Sequence, residues 1–467
     1  MLTYSFADIG SDSLYEHLYK CIKSDIITGI LKPGEKMPSK RSFAKNLGIS
    51  VITVENAFEQ LISEGYLYSI AKKGFFVSDL NNLTKERPLK VSVETVKMTS
   101  GKPRYVADFA SNRVPKDQFP FSIWSKLLRE CLNEYQESLL ISSPSGGSLE
   151  LRGAIAEYLK EFRGMHVDPE QIIIGAGTES LYGQIVQLLG HDKVYGVEDP
   201  GFLKMAQVYE ANAVTCKYIP FGKNGISIEE LVKQGVQVAH TSPSHHFPTG
   251  VVTPISKRYE LLGWAAKDDS RYIIEDDYDS EFRFVGKPIP TLQSIDTMEK
   301  VIYLNTFSKS IANTFRISYM VLPKQLVNRY YEKLSFYSCP VTTLIQFSLA
   351  KFIQEGYFEK HINRMRNYYR KQRDLLVDAI HNSELAHIAT ISEEDAGLHF
   401  LLHLKLNSSD QEWKERMERR GIRMCALSEY YKTQENKTEH IFVINYSSLT
   451  AEQILEAVAL INQELNG

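Results

Sequence analysis

Short apolar runs alternate with helical stretches through the middle of this chain of 467 residues, and that alternation limits its possible folds more than any other feature. The runs cover residues 171–174, 194–197, 214–219, 237–240, 272–275, 301–304 and 319–322. Strands separated by helices predict an α/β fold built on a mainly parallel sheet. From about residue 330 the pattern is mostly helical, with strands near 399–403 and 440–445, and it predicts a small C-terminal α+β lobe.

The first eighty residues carry a different pattern. Four apolar residues recur at every fourth position, as on one face of a helix: Leu14, Leu18, Ile22 and Ile26. Ser39 and Ser50 are suited to cap two further helices, and Gly48 is suited to end the first of these. Two β-like runs, 66–70 and 75–77, follow. Three helices with a tight turn before the third, then a hairpin, predict a winged helix-turn-helix.

The third helix, expected over residues 51–64, is the element that a helix-turn-helix places in the major groove. Its apolar side faces the core, which leaves polar residues for phosphates and base edges. The preceding helix and the hairpin tip add basic side chains. The candidate DNA contacts are Lys40, Arg41, Lys45, Ser50, Thr53, Asn56, Lys72 and Lys73. A three-helix domain that binds another protein is the alternative interpretation of the periodicity alone.

Charge is distributed unevenly along the chain. A formal net charge of −3 excludes a uniformly basic nucleic-acid coat, and residues 1–80 balance nine bases against nine acids. Residues 81–104 are polar, with six bases against two acids from residue 85 onward, and predict a flexible linker or, alternatively, a segment attracted to polyanions. We therefore expect a winged helix over 1–80, a linker over 81–104 and an α/β body over 105–467, whose small lobe covers about 330–467.

Other features bear on location. No apolar run approaches the roughly 20 residues of a membrane span, and the first residues lack a basic stretch followed by an apolar one. The five cysteines are scattered and form no CxxC pair, which is typical of a reduced compartment and gives no cysteine metal site. These features predict a cytoplasmic protein with no membrane partner and no metal.

Three strings at the ends of the apolar runs carry chemically useful residues. Lys309 ends the string Thr-Phe-Ser-Lys after the run 301–304, where an amine can form a Schiff base with an aldehyde cofactor. Asp276 follows the run 272–275, where ligands bind in α/β sheets, and a carboxylate there suits the pyridinium nitrogen of pyridoxal 5′-phosphate. The string Gly-Ala-Gly-Thr-Glu, residues 175–179, opens a helix whose N–H groups suit a phosphate.

Each string has a simpler explanation when it is taken alone. A lysine in such a string is usually at the surface, an acid cluster is usually solvated or metal-binding, and a glycine-rich string is often only a tight turn. Arg316, seven residues after Lys309, can hold the same phosphate bidentately, although an isolated arginine is more often part of a surface ion pair. The combination is far more specific than any one string.

The order of these strings resembles known families. Residues 29–77 resemble the GntR-type winged helix almost throughout: GILKPGEKMPSKRSFAKNLGISVITVENAFEQLISEGYLYSIAKKGFFV. Residues from about 108 onward resemble the fold-type I aminotransferases, because GAGTE, EDPGF, SPSHHFPTG, IIEDDYDSEF and TFSK with a following arginine occur in the same order. A winged helix, a linker and an aminotransferase-like domain together resemble the MocR/GabR class of bacterial transcription regulators.

This resemblance implies a set of cofactor contacts. Lys309 would hold pyridoxal 5′-phosphate as a Schiff base, Asp276 would pair with the pyridine nitrogen, and Tyr278 would hydrogen-bond the ring 3′-oxygen. Phe202 would stack on the ring, although a single aromatic residue there more often belongs to the core. The phosphate would be held by Ala176, Gly177, Thr178, Thr306 and Arg316.

Several positions depart from the family patterns. Phe247 stands before Pro248, where ordinary aminotransferases have an asparagine that contacts the cofactor, so that contact is lost or passes to His246. Lys72 replaces the first glycine of the wing signature. The small-lobe arginine that binds a substrate carboxylate is not evident. Glu429 in its neighbourhood either favours an amine or cationic effector or is only a surface charge.

The sequence therefore predicts a regulator that binds double-stranded operator DNA and senses pyridoxal 5′-phosphate itself, an amine or an amino acid. The resemblance implies a head-to-tail homodimer in which each winged helix reads a half-site. A working aminotransferase with a fused DNA-binding domain is the alternative, since Lys309, Asp276 and Tyr278 are all present. A third interpretation is a pocket that has lost its cofactor and binds protein.

Overall fold

The computed structural model describes residues 2–6, 9, 12–80, 105–284, 289–395, 397–433 and 437–465. The chain divides into two compact units, residues 1–101 and 102–467. The expected linker, residues 81–104, lies outside the described residues.

The described part of the first unit consists of helices followed by a hairpin: α1 (Leu14–Ile27), α2 (Lys40–Leu47), α3 (Val51–Ser63), β1 (Leu67–Ile70) and β2 (Gly74–Val77). Ser39 caps α2 and Ser50 caps α3, because each hydroxyl accepts a hydrogen bond from a first-turn backbone N–H, at 3.2 Å and 3.1 Å. Gly48 ends α2 with a φ of 66°, a left-handed conformation that glycine adopts easily. The expected winged helix-turn-helix is confirmed.

The apolar faces of these helices meet in one core. Its buried residues include Leu18, Ile22, Ile26, Phe43, Val54, Ala57, Phe58, Leu61, Leu67 and Val77. β1 and β2 pair antiparallel, with Leu67 opposite Val77. Lys72 in the turn has a φ of 63°, a conformation that costs a residue with a Cβ roughly 1–2 kcal/mol. The wing thus keeps its turn even though lysine stands where the family has glycine.

The second unit is larger and mixes helices with strands. Its described helices are α4 (Phe121–Glu134), α5 (Leu149–Arg163), α6 (Thr178–Leu189), α7 (Leu203–Ala211), α8 (Ile228–Lys233), α9 (Ile255–Ala266), α10 (Leu292–Ile295), α11 (Lys324–Leu334), α12 (Thr343–Gln354), α13 (Tyr357–His381), α14 (Asp410–Arg419) and α15 (Ala451–Leu465). Its described strands are β3 (Ala107–Asp108), β4 (Ile172–Gly175), β5 (Val194–Asp199), β6 (Thr215–Gly222), β7 (Gly225–Ile226), β8 (Val238–Thr241), β9 (Tyr272–Asp276), β10 (Val301–Thr306), β11 (Ser318–Val321), β12 (Ala389–Ser392), β13 (His399–Leu404), β14 (Ile422–Arg423), β15 (Cys425–Ala426) and β16 (Ile441–Asn445).

The main sheet has the strand order β4-β11-β10-β9-β8-β5-β6-β7. The strands from β10 to β6 in this order pair in parallel, whereas β11 runs antiparallel to both of its neighbours and β7 antiparallel to β6. All residues of β4, β8, β9 and β10 are buried, as expected for strands covered by helices on both faces. The α/β fold with a mainly parallel sheet is confirmed.

The small lobe is built on an antiparallel sheet with the order β12-β13-β16-β15. β3, at the beginning of the unit, pairs in parallel with β14, and the Phe109 carbonyl accepts a hydrogen bond from the backbone N–H of Asn445 at 2.9 Å. The lobe therefore also includes the segment around residues 106–109, which the sequence analysis had not assigned to it. A strand of two residues is too short to show a periodicity.

None of the helices among the described residues is long and apolar enough to cross a membrane. No group of three or more His, Cys, Asp or Glu side chains among the described residues could hold a metal ion.

Candidate functional site

A cleft of about 450 Å³ lies at the carboxyl ends of the central strands and is closed on one side by His399, Tyr430 and Asn445 of the small lobe. This edge of an α/β sheet is where ligands bind. Seven of the predicted cofactor residues line the cleft: Thr178, Phe202, Asp276, Tyr278, Thr306, Lys309 and Arg316.

Lys309 lies in the turn after β10, three residues beyond the end of the strand. Burial lowers the pKa of its amine, and the carboxylate of Asp279 partly opposes that shift. A lowered pKa increases the fraction of unprotonated amine, which is the form that attacks a carbonyl carbon. Lys309 is therefore suited to form a Schiff base in this cleft.

Asp276 ends β9 and is 6% exposed. Its Oδ2 accepts a hydrogen bond from the hydroxyl of Tyr182 at 2.7 Å. The imidazole of His240 lies behind it, with Nε2 3.6 Å from the same oxygen. The other oxygen, Oδ1, is buried and has no hydrogen-bond partner. Because an unpaired buried oxygen is costly, this atom is suited to accept a hydrogen bond from a heterocyclic N–H in the cleft.

The N-terminus of α6 opens into the same cleft. Gly177 caps this helix with a φ of 93° and offers no side chain to its first N–H groups. A Cβ at Gly177 would lie 2.4 Å from the guanidinium of Arg316, so a side chain here would displace the arginine, and the positive φ of Gly177 would strain it as well. Arg316 pairs with Glu179 on the first turn of α6, and Lys204 pairs with the same carboxylate. Helix N–H groups, an arginine and the hydroxyl of Thr306 together suit a phosphate.

Aromatic side chains form the outer wall of the cleft. The ring of Phe247 packs edge-on against Phe202, His399 and Tyr430, at centroid distances of 6.0, 5.3 and 5.2 Å. Phe202 is 46% exposed, so it is not the core residue of the simpler interpretation. Burial lowers the pKa of His399 well below its ordinary value, with further lowering from His245, and His399 is therefore neutral. An uncharged aromatic wall is suited to a flat heterocyclic ring.

His246 does not reach the cleft. Its ring stacks on Phe221 at 3.5 Å, and its Nδ1 lies 2.7 Å from the hydroxyl of Thr249. Burial and the neighbouring His245 lower the pKa of His246 to about 3. The structure therefore corrects the expectation that a cofactor contact passes to His246, because the adjacent Phe247 faces the cleft in its place.

Glu429 also points away from the cleft. Its Oε1 accepts a hydrogen bond from the backbone N–H of Ala426 at 2.6 Å, and its Oε2 pairs with Lys414 at 2.7 Å. The neighbouring Tyr430 lines the cleft instead. Of the two interpretations of Glu429, the structure supports a paired surface charge.

A second carboxyl group, Glu198, lines the cleft beside the predicted residues. It accepts hydrogen bonds from the hydroxyl of Thr241 and from the backbone N–H of Ser242. Burial raises the pKa of Glu198 to about 8, although these two hydrogen bonds oppose the shift. Glu198 is therefore largely protonated at neutral pH, which limits the negative charge of the cleft.

The DNA-reading candidates of the first unit fall into two groups. Arg41, Lys45, Ser50, Asn56, Lys72 and Lys73 are exposed, and Thr53 is half-buried. Lys40 is turned toward α3, where its Nζ pairs with Glu55 at 2.6 Å. Two apolar side chains at the start of α3, which were not predicted as contacts, are exposed: Val51 at 42% and Ile52 at 68%. Apolar groups in this position can contact thymine methyls.

Comparison with known proteins decides the family. The bacterial regulatory proteins of the gntR family match residues 14–77, and the aminotransferases of class I and II match residues 105–461. The uncharacterised HTH-type transcriptional regulator YdeL of Bacillus subtilis is 37% identical, covering 95% of each chain. The probable rhizopine catabolism regulatory protein MocR of Rhizobium meliloti is 30% identical, covering 90% of this chain and 87% of its own. This chain belongs to the MocR family of transcriptional regulators.

Solved structures show the fold of the larger unit of this MocR-family chain. The kynurenine aminotransferase of Pyrococcus horikoshii superposes with a TM-score of 0.68 at 24% identity, covering 78% of this chain and 91% of its own. The multiple substrate aminotransferase of Thermococcus profundus gives the same TM-score and identity, with 92% of its own chain covered. The expected fold-type I aminotransferase-like domain is thus confirmed.

Sequence analysis missed several residues that line the cleft of this MocR-family chain. They are Tyr182, Glu198, His399, Tyr430 and Asn445. Glu198 was visible as the first residue of the Glu-Asp-Pro string at the end of β5. His399 and Asn445 begin and end small-lobe strands, and no local signal shows that these strand ends meet the main sheet.

Proposed function

We propose that this protein is a transcriptional regulator that holds pyridoxal 5′-phosphate in the cleft and changes its DNA binding when the cofactor or an amine occupies that site. The observation that carries the proposal is that Asp276, whose buried Oδ1 has no hydrogen-bond partner, lines the same cleft as Lys309 and the first residues of α6. These groups match the ring nitrogen, the aldehyde and the phosphate of one molecule.

Different residues would contact the ring nitrogen, the aldehyde, the ring oxygen and the phosphate of that cofactor. Asp276 accepts the hydrogen bond of the ring nitrogen, Lys309 provides the amine for a Schiff base, and Tyr278 faces the ring oxygen. The backbone N–H groups where α6 begins, at Ala176, Gly177 and Thr178, would meet the phosphate, and Thr178, Thr306 and Arg316 line the cleft there. When bound, pyridoxal 5′-phosphate supplies an aldehyde that condenses with primary amines.

The part of the cleft left for an effector offers no cation among the described residues that line it. Among the described residues that line it, Lys309 and Arg316 are the cations, and both are assigned to the cofactor. The remaining wall includes aromatic rings and amides, such as Tyr430, Asn112 and Asn445. The carboxylate of Glu179 also lines the cleft, and it is paired with Arg316 and Lys204. A carboxylate there would lose its hydration without gaining an ion pair. We therefore infer that the effector is the cofactor itself or an amine without a carboxylate.

A homodimer through the larger unit forms part of the proposal. Large apolar side chains are exposed on two segments of this unit, among them Leu140 at 88%, Ile141 at 69% and Phe336 at 75%. A surface cavity of about 270 Å³ is lined by residues 139–143 and 338–343, so the two segments lie side by side. Large exposed apolar side chains on neighbouring segments support an interaction site here. A second copy of the chain would cover it and bring two winged helices to one operator.

DNA capture tests the proposal. Genomic fragments recovered with the protein in the presence and absence of pyridoxal 5′-phosphate should share a sequence with two half-sites, and the recovered amount should change with the cofactor. Lys309→Ala should abolish the cofactor response and keep DNA binding, whereas Asn56→Ala should weaken DNA binding and keep the absorbance of the bound cofactor. DNA binding that is indifferent to cofactor and to amines contradicts the proposal.

Aminotransferase activity is the second candidate function. Lys309, Asp276 and Tyr278 lie together in one cleft, and the lowered pKa of Lys309 suits proton transfer. A coupled assay for pyridoxamine phosphate with common amino acids separates the two functions. Repeated turnover with any of these amino acids would show an enzyme; a single half-reaction or none would support a sensor.

A further inference from the structure

A buried histidine lies directly behind the tyrosine that faces the cleft. The Oη of Tyr278 is 3.1 Å from Nδ1 of His245. The same Nδ1 is 2.9 Å and 3.2 Å from the two carboxylate oxygens of Asp279. His245 is 4% exposed and Asp279 is 2% exposed. The cofactor contacts described above use neither of them.

The positions of the hydrogens follow from these distances. A carboxylate accepts hydrogen bonds, so Nδ1 of His245 carries a hydrogen toward Asp279, whether the ring is neutral or protonated. Tyr278 cannot donate to a nitrogen that already bears a hydrogen, and its oxygen is therefore an acceptor at this contact. Burial, together with the charge of Asp279, raises the pKa of Tyr278, so the hydroxyl keeps its own hydrogen. That hydrogen is left free to point into the cleft that Tyr278 lines.

We propose that His245, oriented by Asp279, is a positioning residue that fixes the Tyr278 hydroxyl as a hydrogen-bond donor toward the 3′-oxygen of bound pyridoxal 5′-phosphate. This inference rests on the proposed function, because it needs the cofactor in the cleft.

The ring of His245 is packed by residues of the small lobe. A Cβ on Gly397 would lie 1.9 Å from Cε1 of His245, so the ring occupies the space that a side chain at 397 would need. The ring of His399 lies 4.8 Å from that of His245 and is anchored through Nε2 to the carbonyl of Pro248 at 3.1 Å. Packing on two sides keeps the imidazole from turning away from Tyr278.

The expected effect is on the protonation of the cofactor. A hydrogen bond donated to the negative 3′-oxygen stabilises the form of the cofactor that has lost a proton. When the donor is lost or turned away, the pH midpoint of the cofactor's absorbance change should rise, by about one unit for one hydrogen bond to a charged oxygen.

The experiment compares variants of the full-length protein loaded with pyridoxal 5′-phosphate. His245→Leu and Tyr278→Phe should both raise the absorbance midpoint, and the double variant should shift no further than Tyr278→Phe alone. His245→Asn keeps an N–H donor near the position of Nδ1 and should stay close to the wild type. His403→Leu is the control, since His403 is a half-buried histidine that binds Ser392 and lies apart from the cleft lining.

Two results would overturn the inference: a wild-type midpoint in His245→Leu, or single-variant shifts that add in the double variant. A wild-type protein without Lys309-dependent absorbance would refute the proposed function instead. If a variant binds no cofactor, nitrogen NMR of the histidines in the cofactor-free protein tests the hydrogen position on His245 instead. With the His245 signal assigned by its loss in His245→Asn, a hydrogen on Nδ1 supports the inference, and a hydrogen on Nε2 alone overturns it.

Discussion

Replacing Glu198 with glutamine should remove a loss of stability that develops as the pH rises from about 4.5 to about 8. Burial raises the pKa of this carboxyl from its ordinary 4.5 to about 8 in the folded protein, whereas unfolding returns it to water. Between these two values the folded state holds a proton that the unfolded state has released, so the free energy of unfolding falls as pH rises. The loss is at most about 1.4 kcal/mol per pH unit, or about 4–5 kcal/mol over the whole interval. Glutamine cannot ionise and keeps a carbonyl oxygen for Thr241 and Ser242.

Urea unfolding followed by tryptophan fluorescence measures this effect in the larger unit alone, because all three tryptophans of the chain lie in it. Between pH 5.5 and 7.5, the stability of Glu198→Gln relative to the wild type should increase by about 2–3 kcal/mol. Glu157→Gln is the matched control, since Glu157 is an exposed residue of α5 paired with Lys160. If the free energy of unfolding of Glu198→Gln changes with pH in parallel with that of the wild type, Glu198 is not buried in its protonated form.

Two further substitutions test the packing of the site. Arg163 pairs with the buried carboxylate of Asp277 at 2.8 Å. Arg163→Met leaves that carboxylate without its partner and should lower the free energy of unfolding by about 3–5 kcal/mol. The exposed Lys160→Met should cost less than about 1 kcal/mol, and equal losses in urea unfolding would contradict this. Gly177→Ala places a Cβ against Arg316 and should weaken pyridoxal 5′-phosphate binding about tenfold or more in a fluorescence titration. Gly153→Ala is the control, because a Cβ there meets open space and should leave the affinity unchanged. Unaltered affinity in Gly177→Ala would show that the phosphate lies elsewhere.

The sequence predicted those parts of the fold that depend on local pattern. The caps at Ser39 and Ser50 and the apolar face of α3 are local features, and the structure has them where periodicity predicts them. The antiparallel direction of β11 and the pairing of β3 with β14 are not local. An apolar run shows that a strand forms, but its direction depends on the whole chain path.

In the candidate site, too, the sequence predicted the local features and not those that depend on the path of the chain. Lys309 and Asp276 were predictable because strand ends of an α/β sheet meet at one edge, and both line the cleft. His246 and Phe247 are neighbours in the sequence, and only the path of their loop decides which of them faces the cleft. Lys40 was predicted as a DNA contact, but it pairs with Glu55 of the next helix. That pair depends on how two helices pack, which neither helix shows by itself.

The covalent state of Lys309 is the most direct test of whether this cleft holds pyridoxal 5′-phosphate. Protein incubated with pyridoxal 5′-phosphate, reduced with borohydride and digested should give one phosphopyridoxyl peptide, modified at Lys309, and prior addition of an amine effector should diminish it. We expect no such peptide at this position in Lys309→Ala. A wild-type protein with no modified peptide, or with the modification spread over exposed lysines and absent from Lys309, would contradict the claim that this cleft holds the cofactor.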